Sequence, residues 1–127
     1  MQLRTAAEAL VRRAPAPNSP TVSVYFGGDQ DSADIGLVRV SVPAGSGMAP
    51  HRHYGSDVIL VPTAGQVVIT REGGQEIEVA VGDAALIGRD ESVALTNPGS
   101  QEAQLIVAAG PADFVTGIRS WPDPDEG

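Results

Sequence analysis

The feature of this sequence that most limits its possible folds is a cadence of short β-prone runs, each cut off by a turn. "TVSVYF", "IGLVRVSV", "DVILV", "QVVIT", "EIEVAV", "DAALI", "SVALT" and "EAQLIVAAG" follow one another between Thr21 and Gly110. Their Val, Ile and Thr content suits a pleated, half-buried surface. In "EIEVAV", Ile77, Val79 and Val81 alternate with Glu76, Glu78 and Ala80, the period of a strand with one wet face. Turn signals separate the runs: the aspartate-rich "GGDQDSAD", the "PTAG" corner and the glycine pair of "REGGQ", the last a tight hairpin composition. Many short strands without a fixed repeat predict an all-β sandwich or barrel.

The ends read differently. "TAAEALVRRA", Thr5 to Ala14, spaces Thr5 and Glu8 as a capping box for a short helix. It reads equally as an irregular arm pairing along a barrel edge. Near the other end, "FVTGIRSW" predicts one turn of helix that seats Phe114 and Trp121 on the barrel, and "PDPDEG" an acidic, frayed tail. The expected division is an N-terminal arm or short helix over 1–20, a β-barrel over 21–115, and a helical turn with its tail over 116–127.

A chain of 127 residues fits one domain and can bury a sizeable core. It holds no cysteine, which removes thiol nucleophiles, disulfides and thiolate metal sites. All eight cationic side chains are arginine, so lysine Schiff bases and a P-loop lysine are excluded. A net charge of −8 repels nucleic-acid phosphates and anionic membranes. No apolar run is long enough for a membrane-spanning helix, and the N-terminus lacks the order of a secretory signal. The expectation is a soluble, cytoplasmic protein whose partners are small molecules, metal cations or further copies of the chain.

Both histidines lie in "GMAPHRHYGSD". On a strand, side chains at i and i+2 share a face, so His51 and His53 project together as a pair of metal-binding imidazoles. Asp57 supplies the nearest carboxylate for a two-histidine, one-carboxylate set. Other candidates are weaker. Asp90 and Glu91 are adjacent, which on a strand points them apart. The aspartates of Gly27–Asp34 suggest a calcium loop, but Ala33 stands where an oxygen ligand is required, so a solvated turn is expected. No G-x-S-x-G elbow is present.

"GSGMAPHRHYGSDVILVPTAG" resembles the first motif of the cupin superfamily, G-x5-H-x-H-x3-E-x6-G. Gly45, His51 and His53 fall in register, Asp57 takes the glutamate position, and Gly65 comes one residue late. "GDAALIGRDESVALTN" resembles the second motif, G-x5-P-x-G-x2-H-x3-N. Gly82 and Asn97 match, Gly88 and Asp90 replace the proline and inner glycine, and Val93 stands where the third metal histidine belongs. The resemblance implies a double-stranded β-helix, or jelly-roll, barrel, usually paired into dimers. In metal-bearing members the ligands face the barrel interior and hold iron, manganese, zinc, nickel or copper.

Two functions follow as expectations. In the first, a divalent metal held by His51, His53 and Asp57 serves a dioxygenase, isomerase, cyclase or lyase reaction on a small organic substrate. In the second, a metal-free barrel binds a small molecule: Ile59, Val61 and Val93 line the cavity, Tyr54 lies at its mouth, and the histidines orient a polar group. The histidine pair with its carboxylate favours the first; Val93 favours the second. A scaffold with a vestigial pocket is a third possibility. Pairing into a homodimer is expected through the N-terminal segment.

Overall fold

A computed structural model describes residues 1–124. Ten strands form two antiparallel sheets. The first sheet has the order β1 (Leu10–Arg13), β2 (Thr21–Gly28), β3 (Ser32–Val42), β10 (Ala103–Gly110), β5 (Asp57–Ala64) and β8 (Ala85–Ile87). The second has the order β4 (Gly47–His51), β9 (Val93–Thr96), β6 (Gln66–Arg71) and β7 (Glu76–Ala80). Neighbours such as β3 and β10, or β4 and β9, are far apart in sequence. This is the long-range pairing of a jelly roll, in which two sheets cover one core.

Alternation decides which residues form that core. On β10, Ala103, Leu105, Val107 and Ala109 point inward; on β5, Val58, Leu60 and Pro62 do so. Val67 and Ile69 of β6 and Val93 and Leu95 of β9 meet them from the other sheet. Of the alternating set in "EIEVAV", only Val79 is buried. The reason is position: β7 is an edge strand, which leaves Ile77 40% exposed, and Val81 lies beyond the strand's end.

The first twenty residues form an arm. Glu8 accepts from the Thr5 hydroxyl and backbone N–H at 2.7 and 3.1 Å, and Ala9 N–H reaches Thr5 O at 3.2 Å. That turn is not propagated. Leu10–Arg13 instead pairs with β2, Leu10 opposite Val24 and Arg13 opposite Thr21. A lone turn costs more order than it returns, whereas the sheet edge satisfies the arm's backbone at once.

The chain ends on helix α1 (Asp113–Ile118), with Val115 and Ile118 buried. Val115 presses so closely on β3 that a Cβ on Gly36 would lie 2.6 Å from its Cγ2, so only glycine admits the helix there. Phe114 and Trp121 pack on the core from the same side. The tail beyond 124 lies outside the described residues. Among the described residues no helix is long and apolar enough to cross a membrane.

The loop Gly27–Asp34 is neither a calcium loop nor merely solvated. Asp31 is nearly buried and takes Arg4 and Arg119 at 3.3 and 3.1 Å on one oxygen, and Gly27 N–H at 2.8 Å on the other. Arg119 also donates to Gly27 O at 2.8 Å. One carboxylate thus joins the N-terminal arm, the β2–β3 loop and the end of α1.

Candidate functional site

Strand β4 carries the histidines to the barrel interior. It pairs with β9, Met48 opposite Leu95 and His51 opposite Val93, with an irregular register between Met48 and His51. The intervening residues are Ala49 and Pro50; a proline cannot donate to a ladder, and such irregularities re-aim the side chains that follow. The strand ends at His51, so His53 is placed by the loop and not by strand alternation. The loop turns at Gly55 (φ 81°) and closes with Ser56 N–H donating to His53 O at 2.9 Å. A Cβ on Gly55 would lie 2.8 Å from an Asp113 carboxylate oxygen.

The rings nonetheless meet. Their centroids lie 4.9 Å apart at an interplanar angle of 75°. His51 is half-buried and its Nδ1 lies 2.9 Å from Ala49 O. A carbonyl only accepts, so in the neutral ring this nitrogen carries the proton and Nε2 keeps the lone pair. His53 is buried, 6% exposed, with Phe114 edge-on at 4.7 Å. Its Nδ1 has no hydrogen-bond partner among the described residues. Burial first, and the neighbouring His51 second, push its pKa down to about 4. The ring is therefore neutral at ordinary pH.

The two histidines are the polar side chains of a cavity of about 50 Å³ whose walls are otherwise apolar, among them Val93, Met48, Leu60, Leu105 and Phe114. Such a volume holds a few waters at most. Val93 thus stands beside the histidines, as the motif spacing anticipates.

Asp57 does not. It lies on the outer face of β5, half-exposed, where it accepts from Arg89 Nη2 at 3.2 Å and Arg89 N–H at 3.0 Å. These hydrogen bonds hold its carboxyl below the usual range. Ile59 and Val61 share that outward phase: Ile59 is 46% exposed, and Val61 pairs beside Ile106 on the same face. The cavity wall on this strand is Leu60. Tyr54 is 74% exposed and lines an outer groove with Arg52, Phe114 and Trp121. The expected placements of Asp57, Ile59 and Val61 at the cavity are corrected accordingly, while Tyr54, expected at the mouth, stands outside the cavity in the groove that shares Phe114 with it.

Ser56 and Phe114 complete the site, and neither is marked as a site residue by local sequence. The fully buried Ser56 hydroxyl donates to Pro111 O and accepts from Phe114 N–H at 3.0 Å, clamping α1 against the loop that carries His53. Asn97, the last residue of the second motif, is structural: its amide donates to Val42 O and Gln101 O at 2.9 and 2.8 Å.

The donor set stops at two. Among the described residues no group of three or more His, Asp or Glu side chains could hold a metal ion, whereas catalytic zinc sites take three protein ligands as a rule. The residues present do not complete a three-ligand centre.

The family model for the cupin domain matches residues 38–109, and the chain belongs to the cupin superfamily. No curated protein matches it by sequence. Solved structures share the fold at low identity. KdgF from a Halomonas species is 16% identical, with 91% of this chain and 99% of that one covered at a TM-score of 0.73. A predicted oxalate decarboxylase from Thermotoga maritima is 17% identical, with 87% and 99% covered at 0.69. A Streptomyces PAC13 variant, solved with uridine, is 15% identical, with 87% and 82% covered at 0.67.

Proposed function

We propose that this cupin binds a small organic molecule in the barrel interior, with a polar group of the ligand meeting His53 and His51. One observation carries the reading: the Nδ1 of His53 is buried without a partner amid apolar walls. An unsatisfied buried polar atom costs free energy until something pairs with it, and a ligand does this while using the apolar walls for affinity. The uridine-bound neighbour supports ligand binding within the same fold. The test is ¹H–¹⁵N NMR of the imidazoles during a small-molecule screen. A ligand that shifts the His53 ring signals in the wild type but binds more weakly to His53→Phe supports the reading; failure of every compound to perturb His53 rejects it.

A second reading, a metal-dependent enzyme, is favoured by the approach of the two imidazoles and by the lone pair left on His51 Nε2. His51 and His53 would hold a divalent metal, with substrate or solvent supplying the other donors; the metal would contribute Lewis-acid or redox chemistry. Metal content of protein purified without a histidine tag, beside a His51→Ala, His53→Ala variant, separates the readings. Near-stoichiometric metal that disappears in the variant favours the enzyme. A protein that takes up no iron, manganese, zinc, nickel or copper favours the metal-free binder.

Pairing into a homodimer is part of the same proposal, through the outer face of the first sheet, beside which Met1 and Gln2 of the N-terminal segment lie. Leu37, Ala108, Ile59 and Leu86 lie in one row across β3, β10, β5 and β8 on the outer face, where Ile59 and Leu86 are 46% and 73% exposed.

A further inference from the structure

The interior cavity, at about 50 Å³, is far smaller than the roughly 300–1,000 Å³ of small-molecule sites. A ligand large enough to bind well needs space that the closed barrel does not offer. On the outer side of Phe114 lies a groove of about 230 Å³, lined also by Arg52, Tyr54, Asp113, Gly117, Ile118 and Trp121. The same Phe114 ring lines the interior cavity beside His51 and His53. It is thus a partition between two spaces which, joined, approach the lower end of that range.

The partition sits in the first turn of a short helix. Helix α1 has six residues, and neither its N-cap nor its last turn carries a side-chain cap or basic residue. Its link to the His53 loop is the Ser56 hydroxyl, which bonds Pro111 O and Phe114 N–H. Beyond Phe114 the inner walls carry no charged side chain, and a charged ligand group would be stripped of water there without an opposite charge to receive it.

We propose that Phe114 is the door of the ligand site: it turns outward to join the groove at Tyr54 and Trp121 to the cavity at His53, and it admits a neutral ligand with an apolar body and one hydrogen-bonding head. This rests on the interior-binding reading above. The head meets the unpartnered nitrogen of His53, the body takes the volume vacated by the ring, and Tyr54 and Trp121 form the outer rim. The helix itself stays seated through the buried Val115 and Ile118 and the Arg119–Asp31 pair, so the motion is a rotation of the half-buried Phe114 side chain, of the kind by which gates open.

Trp121 is the one tryptophan of the chain, so its fluorescence reports the groove while imidazole NMR reports the interior. Phenol is the neutral probe and benzoate its anionic counterpart. The wild type should bind phenol with both signals moving together, and should bind benzoate at least tenfold more weakly. Phe114→Leu keeps an apolar side chain on the helix, and Ser56→Ala loosens the clamp without touching the ring. Each should speed phenol association at least tenfold. Unchanged association rates in both variants, with His53 still shifted, would overturn the door while leaving the interior site intact. Equal binding of benzoate and phenol would overturn the requirement for a neutral ligand. No His53 shift with either probe in any of the three proteins would overturn the interior-binding reading and the door with it.

Discussion

The ring of Phe114 stands edge-on to that of His53, with centroids 4.7 Å apart at 81°, and this contact closes the barrel over its buried imidazole. The burial has a thermodynamic sign. His53 has a pKa of about 4 in the fold against 6.5 in a solvated chain, so between those values the unfolded chain binds the proton and the native protein does not. Stability is therefore complete above about pH 6.5 and is lost as the pH falls toward 4, by roughly 3 kcal/mol in all. Chemical denaturation across pH 4–8 should show this slope in the wild type and a much flatter one in His53→Gln. Parallel curves would mean that the imidazole is solvated.

Removing the Phe114 ring should wet that imidazole. Phe114→Ala should raise the His53 pKa toward 6.5, read from the pH dependence of its ring NMR signals. It should also cost about 2 kcal/mol of stability, below the range for a fully buried phenylalanine because this ring is half-buried. A variant whose His53 pKa stays near 4 would show that other walls keep it dry.

How legible the site was depended on whether each segment carried a phase. The H-x-H spacing brings two imidazoles together wherever the chain around them is extended, and the match of Val93 to the second motif's histidine position put it opposite His51. "DVILV" carries no such phase: it is apolar at every position from Val58 to Val61, and a one-residue slip exchanges the faces of a strand. Leu60 points in, while Asp57, Ile59 and Val61 point out. The Ser56 clamp was invisible for another reason. Its partners Pro111 and Phe114 lie 55 and 58 residues away, and no local pattern announces a contact made only when the barrel closes. The two readings of the N-terminal arm were separated only by the free edge of β2.

The outward turn of Asp57 makes a direct prediction. Asp57→Asn weakens an exposed pair with Arg89 of a kind that contributes little. It should leave the His53 ring signals unmoved, and any bound metal or ligand retained at wild-type level. Loss of metal from Asp57→Asn, measured by elemental analysis, would show that the carboxylate reaches the histidines after all.

Asp31 should matter more. Its carboxylate is nearly buried and serves two arginines and a backbone N–H, while both arginines retain some access to water. Asp31→Ala removes the carboxylate that both cations share, leaving Arg119 only its bond to Gly27 O and Arg4 its bond to Tyr25 O, and should destabilise the fold by roughly 1–3 kcal/mol in urea denaturation. The arm and the C-terminal segment should gain hydrogen exchange first, because the carboxylate joins them. A uniform change over the whole barrel would argue against a local clamp.

The row Leu37–Ala108–Ile59–Leu86 makes the oligomeric state testable. Six strands about 4.8 Å apart span roughly 25 Å, and the four inner ones, of eight to eleven residues, run about as far along the chain, a face that approaches the ~800 Å² per partner of a standard interface. A twofold contact places the same patch on both subunits, and an uncharged row is complementary to itself even in a chain of net charge −8. The wild type should sediment as a dimer at micromolar concentration. Ile59→Glu with Leu86→Glu places four carboxylates in that contact and should give a monomer with an unchanged melting profile at low concentration, since both side chains already face water in the single chain. A wild type that remains monomeric into the millimolar range would rule this interface out.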